Sequence, residues 1–252
     1  MLKEERKYYI IKKLDALGSL SVTDIVTDLN VSDMTVRRDL DELEVDGKLK
    51  RVRGGAVSIN GNIISHELSH SDKRIIHIEE KYKIAHKAHD LIVPGDTLFL
   101  GPGTTIEILA GLIDQENLRI ITNCLPVFQT LNNSDLDVSL YLIGGEIRRI
   151  TQSFHGEITT QTLSSMYFDK AFFSCNAIFN DDVMTSAVEE GTSQKIALNN
   201  SALKFLVVDY SKIGKKDFYT YYDLNDIDTL IINNHPEAIQ SITADVNIMI
   251  AK

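Results

Sequence analysis

Cysteine is nearly absent from this chain, with only Cys124 and Cys175 among 252 residues. Because no CxxC spacing occurs, the two thiols argue against a disulfide framework and against a cysteine-based metal site. We expect both at strand ends in a protein kept in a reducing cytoplasm. No apolar run reaches the length needed to span a membrane, and the opening MLKEERKYY does not resemble a signal peptide.

Positive charge is also scarce, since 36 acidic residues outnumber 26 Lys and Arg and the isoelectric point lies near 5.2. The acidic excess falls entirely after residue 57. Residues 1–57 hold 11 cations and 11 anions, which leaves 15 and 25 for the remainder. A basic nucleic-acid surface is therefore not expected on the larger part, and in the first part it must be local. The length suits one small domain and one larger one.

Residues 21–45 predict two short amphipathic helices joined by a tight connection. Ser21 stands where an N-cap is expected, Asn30 is a plausible end to the first helix, and Ser32 is placed to cap the second. Apolar residues recur at helical spacing in both segments. They are Val22, Ile25, Val26 and Leu29 in the first and Val36, Leu40 and Leu43 in the second.

The second helix and the residues after it carry the local positive charge. Short polar side chains and two arginines near a helix start suit contacts with base edges and phosphates. After Gly47, four cations alternate with Leu49 and Val52, which predicts a strand pair with its charged face toward a DNA backbone. The pattern predicts a winged helix-turn-helix. A protein-interaction module with a solvated basic face remains the alternative. The predicted DNA-binding residues are Ser32, Met34, Thr35, Arg37, Arg38, Lys48, Lys50, Arg51 and Arg53.

Three regions follow from this organisation: a DNA-binding domain over 1–57, a polar linker over 58–72 and an effector domain over 73–252, which opens with a helix predicted over 73–92. His66 and His70 are four residues apart, as zinc ligands on a helix can be. Since no third ligand motif is near, a solvated polar segment is favoured, and no metal site is predicted.

From residue 94 onward, continuous apolar strands alternate with helices, which indicates a mostly parallel sheet covered on both faces. Ligands of such sheets bind at the carboxyl ends of the strands. There GPGTT at 101–105 offers glycines, two hydroxyls and a helix start expected near Ile106. The motif is neither a P-loop nor a dinucleotide fingerprint, and a tight turn with capping threonines is the alternative. The predicted pocket for a small phosphorylated metabolite comprises Gly101, Gly103, Thr104, Thr105, Thr122, Asn123, Gly144, Gly145, Arg148, Glu189 and Lys212.

Two of these assignments have open alternatives. Arg148 and its neighbour Arg149 can equally serve as surface ion-pair partners. Glu189 and Glu190 suit sugar hydroxyls, but a charge near a helix start is a simpler account.

Several motifs together resemble the DeoR family of bacterial transcriptional regulators, along essentially the whole chain. They are VSDMTVRRDLDELE, RVRGGA, GPGTT, ITN, LIGGEIRR, FHGE and the D-x-SK segment at 209–212. VSDMTVRRDL, GDTLFLGPGTT, ITNCLPV and YLIGGEIR most resemble the subgroup that represses lactose phosphotransferase systems in Gram-positive bacteria. The resemblance implies an effector domain similar to sugar-phosphate isomerases and deaminases, and tagatose-6-phosphate as effector. Residues 177–193 lack the glycine-rich segment of many members, which leaves the sugar preference open.

The expected protein is a cytoplasmic repressor of sugar catabolic genes, of the lactose or galactose type. Its expected partners are double-stranded operator DNA, a phosphorylated sugar that releases the DNA, and further copies of itself as a dimer or tetramer. No cofactor, membrane partner or catalytic residue is predicted. The alternative is a sugar-phosphate isomerase or deaminase with an accessory DNA-binding module. Its candidate acid–base groups are Asp169, Asp209, Glu189, Glu190 and His155.

Overall fold

The computed structural model describes residues 2–17, 19–52, 54–58 and 67–252. The chain forms two compact units, Met1–Leu68 and Ser69–Lys252, each with its own apolar core. The first unit comprises α1 (Lys3–Leu17), β1 (Ser19–Ser21), α2 (Val22–Leu29), α3 (Asp33–Val45), β2 (Lys50–Val52) and β3 (Gly55–Val57), with the strands in the antiparallel order β1-β3-β2.

The caps expected at α2 and α3 are confirmed. Ser21 Oγ accepts the Asp24 N–H at 3.0 Å and the Asp24 carboxylate accepts the Ser21 N–H, which forms a capping box. Asn30 ends α2 in the left-handed conformation, with φ of +48°. Ser32 caps α3 through its Oγ, which accepts the Thr35 N–H. The predicted stripe of α3 lies in the core of this unit.

A buried ion pair fixes α3 against α1. Asp39 is fully buried, and its two carboxylate oxygens accept from Arg6 Nε at 2.7 Å and Arg6 Nη2 at 3.1 Å. The bidentate geometry gives the pair directional strength. It therefore sets the orientation of α3 within its unit.

The second unit is an α/β domain. Its elements are α4 (His70–Arg74), α5 (Ile78–His89), β4 (Thr97–Leu100), α6 (Thr104–Leu112), β5 (Arg119–Thr122), α7 (Leu125–Asn132), β6 (Ser139–Leu142), β7 (Glu146–Arg148), β8 (Ser153–His155), α8 (Glu157–Ser164), β9 (Phe168–Phe173), β10 (Ala177–Phe179), β11 (Asp182–Thr185), α9 (Val188–Asn199), β12 (Ser201–Val208), β13 (Tyr219–Asp223), β14 (Thr229–Asn233), α10 (Pro236–Gln240) and β15 (Asn247–Ala251).

Seven parallel strands form the main sheet, in the order β15-β14-β12-β9-β4-β5-β6. One apolar core packs α5, α6 and α7 on one face, and a second packs α8, α9 and the small sheet β10-β11-β13 on the other. The expected parallel sheet with two covered faces is confirmed.

The beginning of this unit differs from the sequence expectation. The segment predicted as one helix over 73–92 forms two helices, α4 and α5. His77 lies between them in the left-handed conformation, with φ of +50°, and interrupts the helical backbone. Helix α4 begins at His70, capped by Ser69, within the segment expected to be linker. Helix α4 begins there because Ser69 Oγ accepts the Asp72 N–H at 3.2 Å and so caps the helix.

The chain reverses direction across the sheet beside β4. The connection from β4 leads to β5 and β6 on one side, and the chain then returns to place β9 on the other side. Ligands of open α/β sheets bind in the crevice at such a switch point. Here the crevice lies between the loop 101–103 after β4 and the loop 174–176 after β9, and we call it the switch-point crevice.

Candidate functional site

The outer face of α3, defined by Met34, Thr35, Arg37 and Arg38, is largely open to solvent. Met34 is 78% exposed and both arginines are exposed, whereas Thr35 is half-buried. Ser32 is committed to the helix start, since its Oγ accepts the Thr35 N–H at 3.3 Å. Met34 and the two arginines are therefore the long side chains this face presents.

The two arginines differ in what they contact. Arg37 Nε donates to Asp33 Oδ1 at 2.5 Å and Arg37 Nη2 donates to Asp33 Oδ2 at 3.1 Å. The hydrogen bonds lower the pKa of Asp33 and raise that of Arg37. Within the described residues Arg38 has no ion pair, so its guanidinium is available to a partner.

The cations of the β2–β3 hairpin do not share one face, so that expectation is wrong. Lys48 and Lys50 are exposed. Arg51 points to the opposite side of β2, where its Nε lies 3.0 Å from Asp41 Oδ1 on α3. Successive residues of a strand point to opposite faces, so Lys50 and Arg51 separate. Arg53 lies outside the described residues.

Glycines bring the two loops of the switch-point crevice together. Gly103 has φ of +147°, and a Cβ there would lie 3.1 Å from Ser174 Cβ. Gly101 donates its N–H to Phe172 O at 2.9 Å, and a Cβ there would lie 3.3 Å from Phe173 Cβ. The backbone conformation at Gly103 therefore favours glycine, and a side chain at Gly101 would crowd Phe173 by a few tenths of an ångström.

Helix α6 points its N-terminus at this crevice. It begins at Thr104, two residues before the expected start, and Gly103 supplies no side-chain cap. Thr104 and Thr105 are buried in its first turn. The first N–H groups of a helix have no intrahelical acceptor, and their partial positive charge favours an anion.

Five buried polar atoms in the described residues have no hydrogen-bond partner. Three of them lie near the carboxyl ends of β4 and β5, on Glu107 in the first turn of α6, on Asn123 directly after β5 and on Gln194. Buried polar atoms nearly always have partners, so this concentration indicates a site for a polar ligand. Gln194 Oε1 lies 3.5 Å from the position of a Cβ on Gly101, which places it at the crevice. The atoms are His70 Nε2, Glu107 Oε2, Asn123 Oδ1, His155 Nδ1 and Gln194 Oε1.

A buried lysine that the sequence analysis did not single out faces the same region. Lys81 on α5 is 4% exposed, and its Nζ donates to the Lys73 carbonyl oxygen. Burial lowers the pKa of Lys81 to about 8; Asp209 opposes the shift, and the charges of Lys212 and Lys73 add to it. Three lysines from separate elements thus act on one another here, and an anion would relieve their repulsion.

Lys212 lies in the short 3-10 turn Tyr210–Lys212 after β12 and is half-buried. Its neighbour Asp209 is 2% exposed. Burial alone would raise the pKa of Asp209, but the charges of Lys212 and His77 and the Ser211 N–H, at 3.0 Å, hold it below its usual value. Asp209 therefore keeps a negative charge beside Lys212.

A second polar cluster joins the β7–β8 hairpin to α9. Arg148 Nη1 lies 3.3 Å from Glu190 Oε2, and Glu190 Oε1 accepts from the hydroxyls of Thr151 and Ser153. Glu190 is 3% exposed, whereas the predicted Glu189 is exposed to solvent. The carboxylate at this edge is therefore that of Glu190. Glu189 instead fits the simpler account, in which it is a negative charge near the start of α9.

Other predicted residues have local structural roles. Thr122 is fully buried, and its Oγ1 accepts the Cys124 N–H at 3.0 Å. Asn123 Nδ2 donates to a main-chain carbonyl of β8 at 2.8 Å, and Asn123 Oδ1 is buried without a hydrogen-bond partner. Gly145, with φ of +151°, has no room for a Cβ, while Gly144 faces open space.

Asp169 and Asp209, two of the groups considered for acid–base catalysis, are engaged in structural contacts. Asp169 lies at the amino edge of the sheet, where it accepts the Thr97 N–H at 2.7 Å. Asp209 is committed to Lys212 and Ser211. Burial raises the pKa of both cysteine thiols to about 12.

Within the described residues, no cluster of three or more His, Cys, Asp or Glu is placed to hold a metal, and none of the helices combines the length and apolar character of a membrane span. His66, one of the two histidines considered for zinc, lies outside those residues. One surface depression of about 320 Å³ opens at the amino ends of strands near Thr97, Arg119 and Tyr167, at the opposite edge from the crevice.

Comparison with known proteins agrees with both units. The DeoR-like helix-turn-helix domain matches residues 6–62, and the DeoR C-terminal sensor domain matches residues 76–234. The chain is 50% identical over 233 residues to the lactose phosphotransferase system repressor of Streptococcus mutans, covering 92% of each chain. It is 48% identical to the repressor of that name from Staphylococcus epidermidis and 45% identical to the one from Staphylococcus aureus, covering 93–94% of this chain and 94% of each relative.

Among solved structures, the chain is similar to ribose 5-phosphate isomerase A of Methanocaldococcus jannaschii, with a TM-score of 0.37, 16% identity and 52% of each chain covered. A D-ribose-5-phosphate isomerase in complex with phospho-erythronic acid gives a TM-score of 0.39 at 14% identity, over 54% of this chain and 53% of that chain.

The matched domains and the curated relatives describe a sugar-catabolism repressor rather than an enzyme. They confirm the family predicted from the motifs, including its resemblance to the lactose subgroup. The chain belongs to the DeoR family of transcriptional regulators.

Proposed function

We propose that this protein represses lactose or galactose catabolic genes in the cytoplasm and leaves its operator when a phosphorylated sugar binds the second unit. Tagatose-6-phosphate is the effector we propose first, because the relatives at 45–50% identity are named lactose phosphotransferase system repressors. The effector acts without a cofactor. Since a ligand shifts an equilibrium only by binding two states unequally, it must bind the DNA-free state more tightly.

One observation carries this proposal: unpartnered buried polar atoms and cations converge at the switch-point crevice. The N-terminus of α6 with Lys81 and Lys212 supplies positive charge for a phosphate. Asn123 Oδ1 and Gln194 Oε1 supply acceptors that sugar hydroxyls would satisfy. The residues proposed to bind the effector are Lys81, Gly101, Gly103, Thr104, Thr105, Asn123, Arg148, Glu190, Gln194 and Lys212.

The DNA-binding half of the proposal rests on the outer face of α3. Met34 and Arg38 are its exposed side chains without an ion pair among the described residues, and Lys48 and Lys50 extend the positive surface along the hairpin. One such module makes few phosphate contacts, so we propose that two copies bind paired half-sites as a dimer or tetramer.

The test is a titration of hexose and pentose phosphates into the purified protein, followed by operator binding with the compound that raises the melting temperature. The operator is a duplex enriched by the protein from a random pool. Lys212→Ala should abolish the melting-temperature rise and leave operator affinity unchanged. Lys216→Ala is the matched control, since Lys216 is exposed with its Nζ 4.0 Å from the Phe179 ring centroid. Loss of operator affinity in Lys212→Ala would show that Lys212 acts structurally.

A further inference from the structure

Helix α4 is the first element of the second unit, and polar contacts hold it there. None of its five residues is buried, and Ile75, which follows it, is 69% exposed. It thus contributes no buried residue to the apolar core of its unit. An element held by a few polar contacts is the kind that opens locally at low free energy.

The contacts at the start of α4 are incompletely satisfied. His70 N–H donates to Ile150 O at 2.7 Å. The His70 ring, however, places Nε2 3.4 Å from Glu107 Oε2 without a hydrogen bond. Burial and the neighbouring cations lower the pKa of His70 to about 4, and burial raises the pKa of Glu107. The helix therefore rests on α6 through a contact that leaves both buried atoms unpaired.

The contacts at the end of α4 use two ammonium groups. Lys73 Nζ donates to Asn176 Oδ1 at 2.9 Å, in the loop after β9 that forms one wall of the switch-point crevice. Lys81 Nζ donates to the Lys73 carbonyl oxygen. In each contact a charged ammonium group donates to a neutral oxygen. A phosphate is a stronger hydrogen-bond acceptor for both ammonium groups.

We propose that the Lys73–Asn176 contact couples the effector site to the DNA-binding unit, an inference that rests on the proposed function. A phosphate in the switch-point crevice draws the ammonium groups of Lys73 and Lys81 away from Asn176 and from the Lys73 carbonyl. The end of α4 then loses both hydrogen bonds. The remaining ion pair of the exposed Arg74, with Nη2 3.5 Å from Glu107 Oε1, is too weak to hold the helix by itself, and the helix leaves its place on α6.

The position of α4 in the chain gives this release a consequence for DNA binding. Eleven peptide steps separate Ser58, the last described residue before the gap at 59–66, from Ser69, and twenty separate it from Ile78. At about 3.5 Å per residue, Ser58 lies at most ~38 Å from the first residue held in the second unit when that residue is Ser69. The limit rises to ~70 Å when residues 69–77 are released and that residue is Ile78. A longer connection lowers the effective concentration of one recognition helix at the second half-site of a paired operator.

Hydrogen exchange of the full-length protein tests the release. The probe is the sugar phosphate that raises the melting temperature most in a panel containing tagatose-6-phosphate, with unphosphorylated tagatose as the control. The proposal predicts that this compound speeds exchange at residues 70–76 by about five-fold or more while it slows exchange in α6. Slower or unchanged exchange at 70–76, with the melting temperature raised, overturns the coupling and leaves the proposed function standing.

A variant separates coupling from binding. Asn176→Ala removes the acceptor for Lys73, together with the hydrogen bond from Asn176 Nδ2 to Ser186 Oγ at 3.3 Å, and leaves both lysines. It should retain effector binding, lower operator affinity without effector by at least three-fold, and reduce the further loss that effector causes. Asn132→Ala, at an exposed position on α7, is the matched control. Operator affinity and release equal to those of the control contradict the coupling. If no sugar phosphate raises the melting temperature, the proposed function fails and the coupling with it.

Discussion

Arg37 and Asp33 form a bidentate ion pair across the first turn of α3, and this pair distinguishes two adjacent arginines that the sequence leaves equivalent. Arg37 is already committed to a carboxylate on its own helix. Arg38 is exposed and has no ion pair in the part of the chain that the structure describes. We therefore propose that Arg38 reads a base and that Arg37 orients the helix start.

Replacing Arg38 with Ala should weaken binding to the enriched operator by about 1–3 kcal/mol, because a guanidinium contacting a base edge is lost. Discrimination against an operator changed at one base pair should fall in parallel. Lys12→Ala, at an exposed position on α1, is the control. Equilibrium binding with fluorescently labelled duplexes measures both quantities. An unchanged affinity for Arg38→Ala would place the reading face elsewhere.

Lys50 and Arg51 are neighbours with different expected roles. Lys50→Ala should weaken all DNA sequences alike and reduce the slope of log affinity against log salt by about 1, because one phosphate contact is lost. Arg51→Ala should instead lower the melting temperature of the protein, since Arg51 pairs with Asp41 and donates to the Gly55 carbonyl. A lower melting temperature in Lys50→Ala, together with a reduced salt dependence of DNA binding in Arg51→Ala, would contradict the structure.

Effector affinity should depend on pH through Lys81. In the free protein Lys81 loses its proton as the pH rises through about 8, because burial lowers its pKa. A bound phosphate favours the charged form and raises that pKa, so binding takes up a proton above this point. Affinity should be level near pH 7 and fall by up to about ten-fold per pH unit above 8.

Calorimetric titrations between pH 7 and 9.5, in buffers of different ionisation enthalpy, measure the affinity and the proton uptake together. Phosphate monoesters ionise near pH 6, below this window. Lys81→Met should bind weakly at every pH and show no dependence in this range. Lys83→Met, at an exposed position on α5, should behave as the unchanged protein. If the effector affinity of the unchanged protein does not vary with pH in this range, Lys81 does not contact the phosphate.

Glu189 and Glu190 are a matched pair for testing the sugar end of the site. Glu190→Gln weakens the charged contacts with Arg148, Thr151 and Ser153, and hydrogen bonds to a charged group contribute about 1.5–3 kcal/mol. It should lower the melting temperature and the effector affinity. Glu189→Gln should change neither, because that side chain is exposed. Equal effects from both variants would remove Glu190 from the proposed site.

Local sequence signals predicted the parts of the molecule that depend on local geometry. Ser21 and Ser32 cap their helices, Asn30 ends α2, and apolar periodicity identified the sheet. The sequence does not predict the break at His77, because a left-handed histidine interrupts a helix without changing its apolar pattern. No repeat or motif marks such a position.

The crevice residues that the sequence did not reveal are set by tertiary packing. Lys81 reads as one of several cations on a helix, and only its burial against the sheet distinguishes it. Asn176 and Gln194 come from separate elements that the sheet order brings to β4. Glu190 differs from Glu189 only in the direction it faces on α9. An error of one residue in the predicted position of the helix exchanges which of the two is buried.

The most direct test of the whole account is operator binding measured at rising concentrations of each sugar phosphate in the panel, with tagatose-6-phosphate included. The account predicts that a compound that raises the melting temperature also releases the operator over the same concentration range. Operator binding that stays the same with every sugar phosphate would contradict it.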